Sequence, residues 1–319
     1  MIPPVVLAPL AGGPSTPELA AAVANAGGVG FLGGGYLSPE ALEEQLNRAR
    51  GLTDGVLGVN LFVLREEPVD EQAVAAYARE LAGEGELGEP RFDDDRLAEK
   101  LEVVLASGVE IVSTTFGPPP ADLVRKAHAA GKQVWATVAA VDDGRSVAGA
   151  DAVVAQGIEA GGHRAAFDDR DTTDLPLLDL LAELRPLGLP LVAAGGIVDR
   201  AAADAARAAG ATAVQAGTAF LLCPEAGTSA PHRAALARGG ETALTRAFTG
   251  RRARGIVNRF MRDHADAPSA YPHVHHLTAP LRAKARAAGD AERINLWAGT
   301  AFERAREHPA AEVVAELRP

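Results

Sequence analysis

A histidine preceded by two glycines ends the run Gly157-Ile158-Glu159-Ala160-Gly161-Gly162-His163, with Arg164 next. Paired glycines remove side chains where a flat group could lie against backbone, and an adjacent imidazole can take or give a proton near neutral pH. Two more glycine clusters, Ala193-Ala194-Gly195-Gly196-Ile197 and Gln215-Ala216-Gly217-Thr218, each follow a short apolar run. Turns of this kind let backbone N–H groups approach an anion, and a following helix N-terminus adds a favourable dipole. A phosphorylated ligand is the expectation. Residue by residue, bland readings stay open: the glycines could serve tight turns only, and a loop histidine could simply be solvent-exposed.

Other chemistry-bearing residues give weaker signals. His273, His275 and His276 have no acid or cysteine set nearby to complete a metal site, and they read as a polar loop. Cys223, the single cysteine, reads as a buried structural thiol. Arg251, Arg252 and Arg254 read as ion-pair partners, and Asp93-Asp94-Asp95 as a solvated charged face. No metal site is expected. Nor does a GxGxxG fingerprint follow any strand, so a dinucleotide would have to bind elsewhere.

The elements that position these residues alternate. Apolar runs at Val5 to Ala8, Val29 to Leu32, Gly55 to Val63, Glu110 to Phe116, Gln133 to Val138, Ala152 to Gln156, Leu189 to Ala194 and Ala213 to Ala216 are eight candidate strands. Helical stretches lie between them, opened by Thr16-Pro17, Ser38-Pro39 or Asp199 and closed by Gly27, Gly131 or Gly210. Parallel neighbours need such crossovers, and eight units of roughly 30 residues match a (β/α)8 TIM barrel, with a doubly wound sheet as the alternative. In that barrel the three glycine clusters fall at strand carboxyl ends, where active sites sit. The reading is an α/β barrel over residues 1–240, with an inserted helical pair at about 64–108. A mainly helical extension over 241–319, with a loop around 268–278, covers the active-site face.

Composition narrows the function classes. The chain has 319 residues, 47% hydrophobic and 23% charged, with 31 Lys plus Arg against 42 Asp plus Glu for a net charge of -11. That balance disfavours nucleic-acid and anionic-membrane surfaces, and one cysteine excludes an internal disulfide. A cytoplasmic protein is expected.

Five ordered motifs carry a family resemblance. Ala8-Pro9-Leu10-Ala11-Gly12-Gly13, Gly58-Val59-Asn60, Gln156 to Arg164, Ala194-Gly195-Gly196-Ile197 and Val214-Gln215-Ala216-Gly217-Thr218 together resemble the nitronate monooxygenase family, formerly 2-nitropropane dioxygenases. The resemblance implies bound FMN, with its phosphate on Gly195, Gly196, Gly217 and Thr218. Its isoalloxazine would lie near Pro9, Leu10, Ala11, Asn60, Gln156, Gly161 and Gly162, with Gln215 also at the cofactor. It makes His163 the general base in oxidation of nitronates or nitroalkanes by oxygen, giving carbonyl compounds and nitrite. The flavin-dependent enoyl-acyl-carrier-protein reductases share the barrel, so an NADH-using enoyl or quinone reductase is the alternative. A barrel that binds flavin or another phosphorylated ligand without turnover is a third reading. Departures are Leu10 where Met is common, Ala219 where Arg is frequent, and Ala165-Ala166 where a glycine is usual.

Overall fold

The computed structural model describes residues 2–170 and 172–319. Strands β1 (Val5–Leu7), β2 (Gly30–Gly33), β3 (Leu57–Phe62), β4 (Ile111–Thr115), β5 (Gln133–Val138) and β6 (Ala152–Gln156) lie in one eight-stranded sheet. A two-residue strand, β7 (Gly162–His163), leaves that sheet, which β8 (Leu191–Ala194) and β9 (Ala213–Ala216) complete. The order is β1-β9-β8-β6-β5-β4-β3-β2, and every pairing is parallel. A Val6–Val29 bridge brings β1 to β2, with Leu7 N–H on the Val29 carbonyl and Val29 N–H on the Val5 carbonyl, each at 2.9 Å. The sheet thus curls into a (β/α)8 barrel, and all eight expected runs supply its strands.

Local chemistry sets the element ends. Thr16 and Ser38 accept hydrogen bonds from the backbone N–H of Leu19 and Ala41, with proline opening each helix. Inside the barrel, Phe31 and Trp135 pack at 5.7 Å among Val6, Val29, Ile111, Val154 and Val192, which closes the end away from the strand carboxyl termini. Between strands and helices lies a larger aliphatic layer that includes Leu19, Leu42, Leu46, Leu101, Leu123, Leu180 and Val314. Cys223 is fully buried in that layer.

The third connection differs from an inserted helical pair. Helix Leu97–Ala106 packs on β3 and on the neighbouring crossover helices, so it is the barrel's own third helix. Only helix Glu71–Glu80 projects outward, where Val74, Tyr77 and Leu81 join Phe248, Phe260, Val274 and Leu277 in a second core. Nor is the Asp93-Asp94-Asp95 run uniformly a solvated face. Asp95 is 12% exposed and pairs at 2.7 Å with Lys100, which is 1% exposed. A buried ammonium needs a counter-charge, and helix Leu97–Ala106 carries it inward.

After residue 240 the chain is helical apart from an antiparallel hairpin, β10 (Thr242–Thr245) and β11 (Ala253–Ile256). β11 also pairs with β7, matching Ala253 to His163 and Arg254 to Gly162. The stretch expected as a loop over 268–278 instead starts helix His273–Ala287 at its sixth residue. Among the described residues, no helix is long and apolar enough to cross a membrane.

The barrel tolerates no side chain at Gly30, where an added Cβ would lie 2.0 Å from the Ala20 carbonyl oxygen. Gly30→Ala should therefore destabilise the fold by about 1–3 kcal/mol or more. A thermal unfolding midpoint unchanged by this substitution would contradict the packing of helix Pro17–Asn25 on β2.

Candidate active site

The carboxyl ends of the strands open into a cavity of about 550 Å3, within the roughly 300–1,000 Å3 usual for small-molecule sites. His163, Pro9, Leu10, Ala11, Asn60, Gln156, Gly161, Gly162, Gly195, Gly196, Gln215, Gly217 and Thr218 all line it. The barrel thus brings the whole set of sequence-predicted site residues to one place.

Their roles in holding the site differ. Gln156 faces inward from the end of β6, but its amide braces the histidine loop: Nε2 donates to the His163 carbonyl at 3.0 Å, and Oε1 accepts from Ala165 N–H at 2.9 Å and Arg164 Nη1 at 3.1 Å. Asn60 gives both amide hydrogens to Ser113 and Thr115 hydroxyls at 2.9 Å, which leaves its carbonyl oxygen to offer. Gly195 and Gly196 stand at φ +121° and +68°. Among the described residues, the N–H groups of Gly195, Gly196 and Gly217 donate to no other backbone carbonyl. At Gly162, φ +77°, an added Cβ would meet nothing within 4 Å, so a side chain there would occupy the cavity.

His163 sits in an aromatic enclosure. Its ring centroid lies 5.8 Å from Phe116, 5.7 Å from Tyr271 and 5.5 Å from Trp297, and Nε2 lies 2.9 Å from Thr249 Oγ1. Burial lowers its pKa to about 3, with the Arg251 and Arg282 guanidinium groups acting in the same direction. The imidazole is therefore neutral at physiological pH.

The arginines depart from the ion-pair expectation. Arg252 does pair with Asp174. Arg251 instead lies 4.1 Å over the Phe116 ring and donates to the Arg164 and Ala166 carbonyls, while Arg254 Nε donates to the Ile158 carbonyl at 3.0 Å. These guanidinium groups fasten the chain on both sides of His163. No Asp or Glu lines the cavity among the described residues, whereas Arg282 and Arg286 do. Buried Arg282 is bonded by Thr278 Oγ1 and the His275 carbonyl, and burial brings its pKa down to about 10, so it remains a cation.

Tyr36, Phe116, Thr249, His275, Arg282 and Trp297 belong to the cavity lining without having been singled out as cofactor or catalytic residues. His275 stacks on Tyr36 at 4.2 Å with its plane 5° away. Tyr36 follows Gly33-Gly34-Gly35 directly after β2, so inspection of every strand end, not only the later ones, finds it. Arg282 had no local signal. It reaches the cavity because His275, Ala279, Arg282 and Arg286 share one face of helix His273–Ala287. No group of His, Cys, Asp and Glu suited to a metal ion occurs among the described residues.

A nitronate monooxygenase family model matches residues 1–319. The chain belongs to the nitronate monooxygenase family. It is an oxidoreductase of that family, 41% identical to a nitronate monooxygenase of Pseudomonas aeruginosa, over 98% of this chain and 95% of the relative. Among solved structures, nitroalkane oxidase from Streptomyces ansochromogenes superposes with a TM-score of 0.94 at 46% identity, covering 98% of this chain and 94% of that one. FabK from Thermotoga maritima gives 0.79 at 26% identity, covering 98% and 91%.

This family member should be acid-labile through its histidines. His163, His232 and His275 have pKa values lowered by burial to about 3, 4 and 2. An unfolded chain, with histidine near 6.5, binds protons that the folded rings refuse. Stability is then full above pH 6.5 and falls as pH drops towards 4, with a slope nearing three protons, or about 4 kcal/mol per pH unit. Denaturant midpoints measured from pH 7.5 to 5 check this, and a midpoint flat across that window would contradict it.

Proposed function

We propose that this protein oxidises nitronates and nitroalkanes with bound FMN and molecular oxygen, giving carbonyl compounds and nitrite, with His163 as general base. The observation that carries the reading is a neutral histidine in a cavity that holds arginine and, among the described residues, no carboxylate. A nitronate is an anion, and a site lined by cations without acids favours it over neutral competitors. The named activities of the Pseudomonas aeruginosa relative and the Streptomyces ansochromogenes neighbour agree with it.

The residues present fit a flavin mononucleotide. The N–H groups of Gly195, Gly196 and Gly217, which no backbone carbonyl among the described residues takes up, suit its phosphate, and the side-chain-free ledge at Gly161 and Gly162 suits a flat ring. Thr218 closes that phosphate end, and Pro9, Leu10, Ala11, Asn60 and Gln215 supply further walls. When bound, the flavin supplies electron transfer between substrate carbon and oxygen.

The chain's own part is orientation and one proton. Thr249 Oγ1 lies 3.3 Å from the Arg251 carbonyl, which can take its hydrogen, so His163 Nε2 donates to Thr249 and the Nδ1 lone pair is left for a substrate proton. Proton abstraction from carbon would turn His163 into an imidazolium that its surroundings disfavour. A nitronate formed beside it offsets that penalty as counter-ion.

His163→Asn should lower kcat/KM for a neutral nitroalkane by about 100- to 10,000-fold, the range general-base catalysis supplies. Preformed nitronate needs no proton removed, and its turnover should fall far less. Oxygen uptake with both substrates measures this. Equal losses on the two would refute the base role, and no loss on nitroalkane would refute the catalytic assignment altogether.

A further inference from the structure

The loop after β2 holds a tyrosine in an unfavourable backbone conformation. Tyr36 has φ +67°, a left-handed geometry that a bulky residue adopts rarely and that persists only where its surroundings enforce it. Two side chains enforce it. Asp95 Oδ1 accepts the Tyr36 N–H at 2.9 Å, and Lys100 Nζ donates to the Gly34 carbonyl at 2.9 Å. Lys100 and Asp95 also pair with each other at 2.7 Å, so one buried ion pair grips the backbone on both sides of Gly35. Gly34 and Gly35 are jammed from the other side: an added Cβ would lie 2.8 Å from the Asn60 carbonyl oxygen and 2.3 Å from the Phe62 ring.

This clamp has a clear product. It delivers the Tyr36 side chain to the cavity wall, stacked on His275 and edge-on to Phe62 at 5.3 Å. There the Tyr271 hydroxyl donates to the Tyr36 hydroxyl at 3.2 Å, so the Tyr36 proton is left to point elsewhere. Tyr36 keeps 37% of its surface open despite these contacts. A phenol with the ordinary pKa near 10 is already a donor across the working pH range. Tyr271 also packs on the His163 ring, so the hydroxyl pair and the imidazole share a neighbour.

We infer that Tyr36 is a substrate-binding residue whose hydroxyl donates a hydrogen bond to a nitronate oxygen, and that Asp95 and Lys100 are positioning residues acting through it. The inference rests on the nitronate reading and adds to it a recognition group and a remote clamp. It also gives a use to a strained tyrosine and a buried lysine that the proton transfer at His163 does not involve.

The test uses the FMN-loaded enzyme and preformed 2-nitropropane nitronate, with oxygen uptake as readout. Tyr36→Phe should lower kcat/KM about 10- to 100-fold, the loss expected for a hydrogen bond to a charged acceptor, with the flavin spectrum and thermal midpoint near wild type. Asp95→Asn should lower kcat/KM as well. In the Tyr36→Phe background it should add less than about two-fold, because its effect passes through the hydroxyl already removed. A merely structural role would cost the same factor in both backgrounds. If Asp95→Asn does not fold, Lys100→Arg, which keeps the charge but alters its reach to the Gly34 carbonyl, carries the same double-mutant comparison. Wild-type turnover with Tyr36→Phe unimpaired, or independent multiplication of the two losses, would overturn the inference alone. A wild-type enzyme inert towards nitronate would overturn the nitronate reading and this inference together.

Discussion

Two residues of β7 hydrogen-bonded to two of β11 hold the centre of this molecule together. The segment Gly161-Gly162-His163 has little side-chain bulk with which to pack, and Gly162 adopts a positive φ, so by itself it would be a loop. Pairing with Ala253 and Arg254 makes it the edge of a three-stranded sheet and fixes the imidazole relative to the barrel. The extension after residue 240 therefore builds the site as much as it covers it. Arg251, Arg252 and Arg254 lie on or beside β11, and each bonds or pairs with residues flanking the histidine loop.

Electrostatics follows from that arrangement. The chain carries a net charge of -11, yet its cavity is lined by arginine and by no carboxylate among the described residues. Buried guanidinium groups are costly unless every donor finds a partner, and here carbonyls and a hydroxyl supply partners without cancelling the charge. Burial depresses the histidine pKa, the positive field adds to that in the same direction, and the field favours an anionic ligand. The arginines thus help to keep the base free of its proton and attract the substrate class that the proposal names.

Sequence made some of this legible and hid the rest for identifiable reasons. Strand positions and helix caps could be read because apolar runs, Thr16-Pro17 and Ser38-Pro39 act locally. Glycine clusters at strand ends marked the cavity because barrel topology places all such ends on one face. Asp95 looked solvated because the groups that bury it and its near neighbour Lys100, the Tyr36 N–H and the Gly34 carbonyl, reach them only when helix Leu97–Ala106 packs against the loop after β2. The pairing of His163 with Ala253 spans 90 residues of sequence and a two-residue strand, below any periodic signal. Arg282 and His275 reach the site through a helix that the proline and histidines at 272–276 disguised as a loop.

We propose that this cavity holds a flavin which a nitronate reduces directly. The most direct measurement is the visible spectrum of the purified protein under anaerobic conditions, supplemented with FMN where needed, before and after 2-nitropropane nitronate, with NADH in a parallel cuvette. The expected result is a flavin band that changes on adding nitronate alone and is restored by air. A band that ignores nitronate and bleaches with NADH would contradict it in favour of a reductase, and failure to bind FMN at all would contradict the reading of the glycine clusters on which it stands.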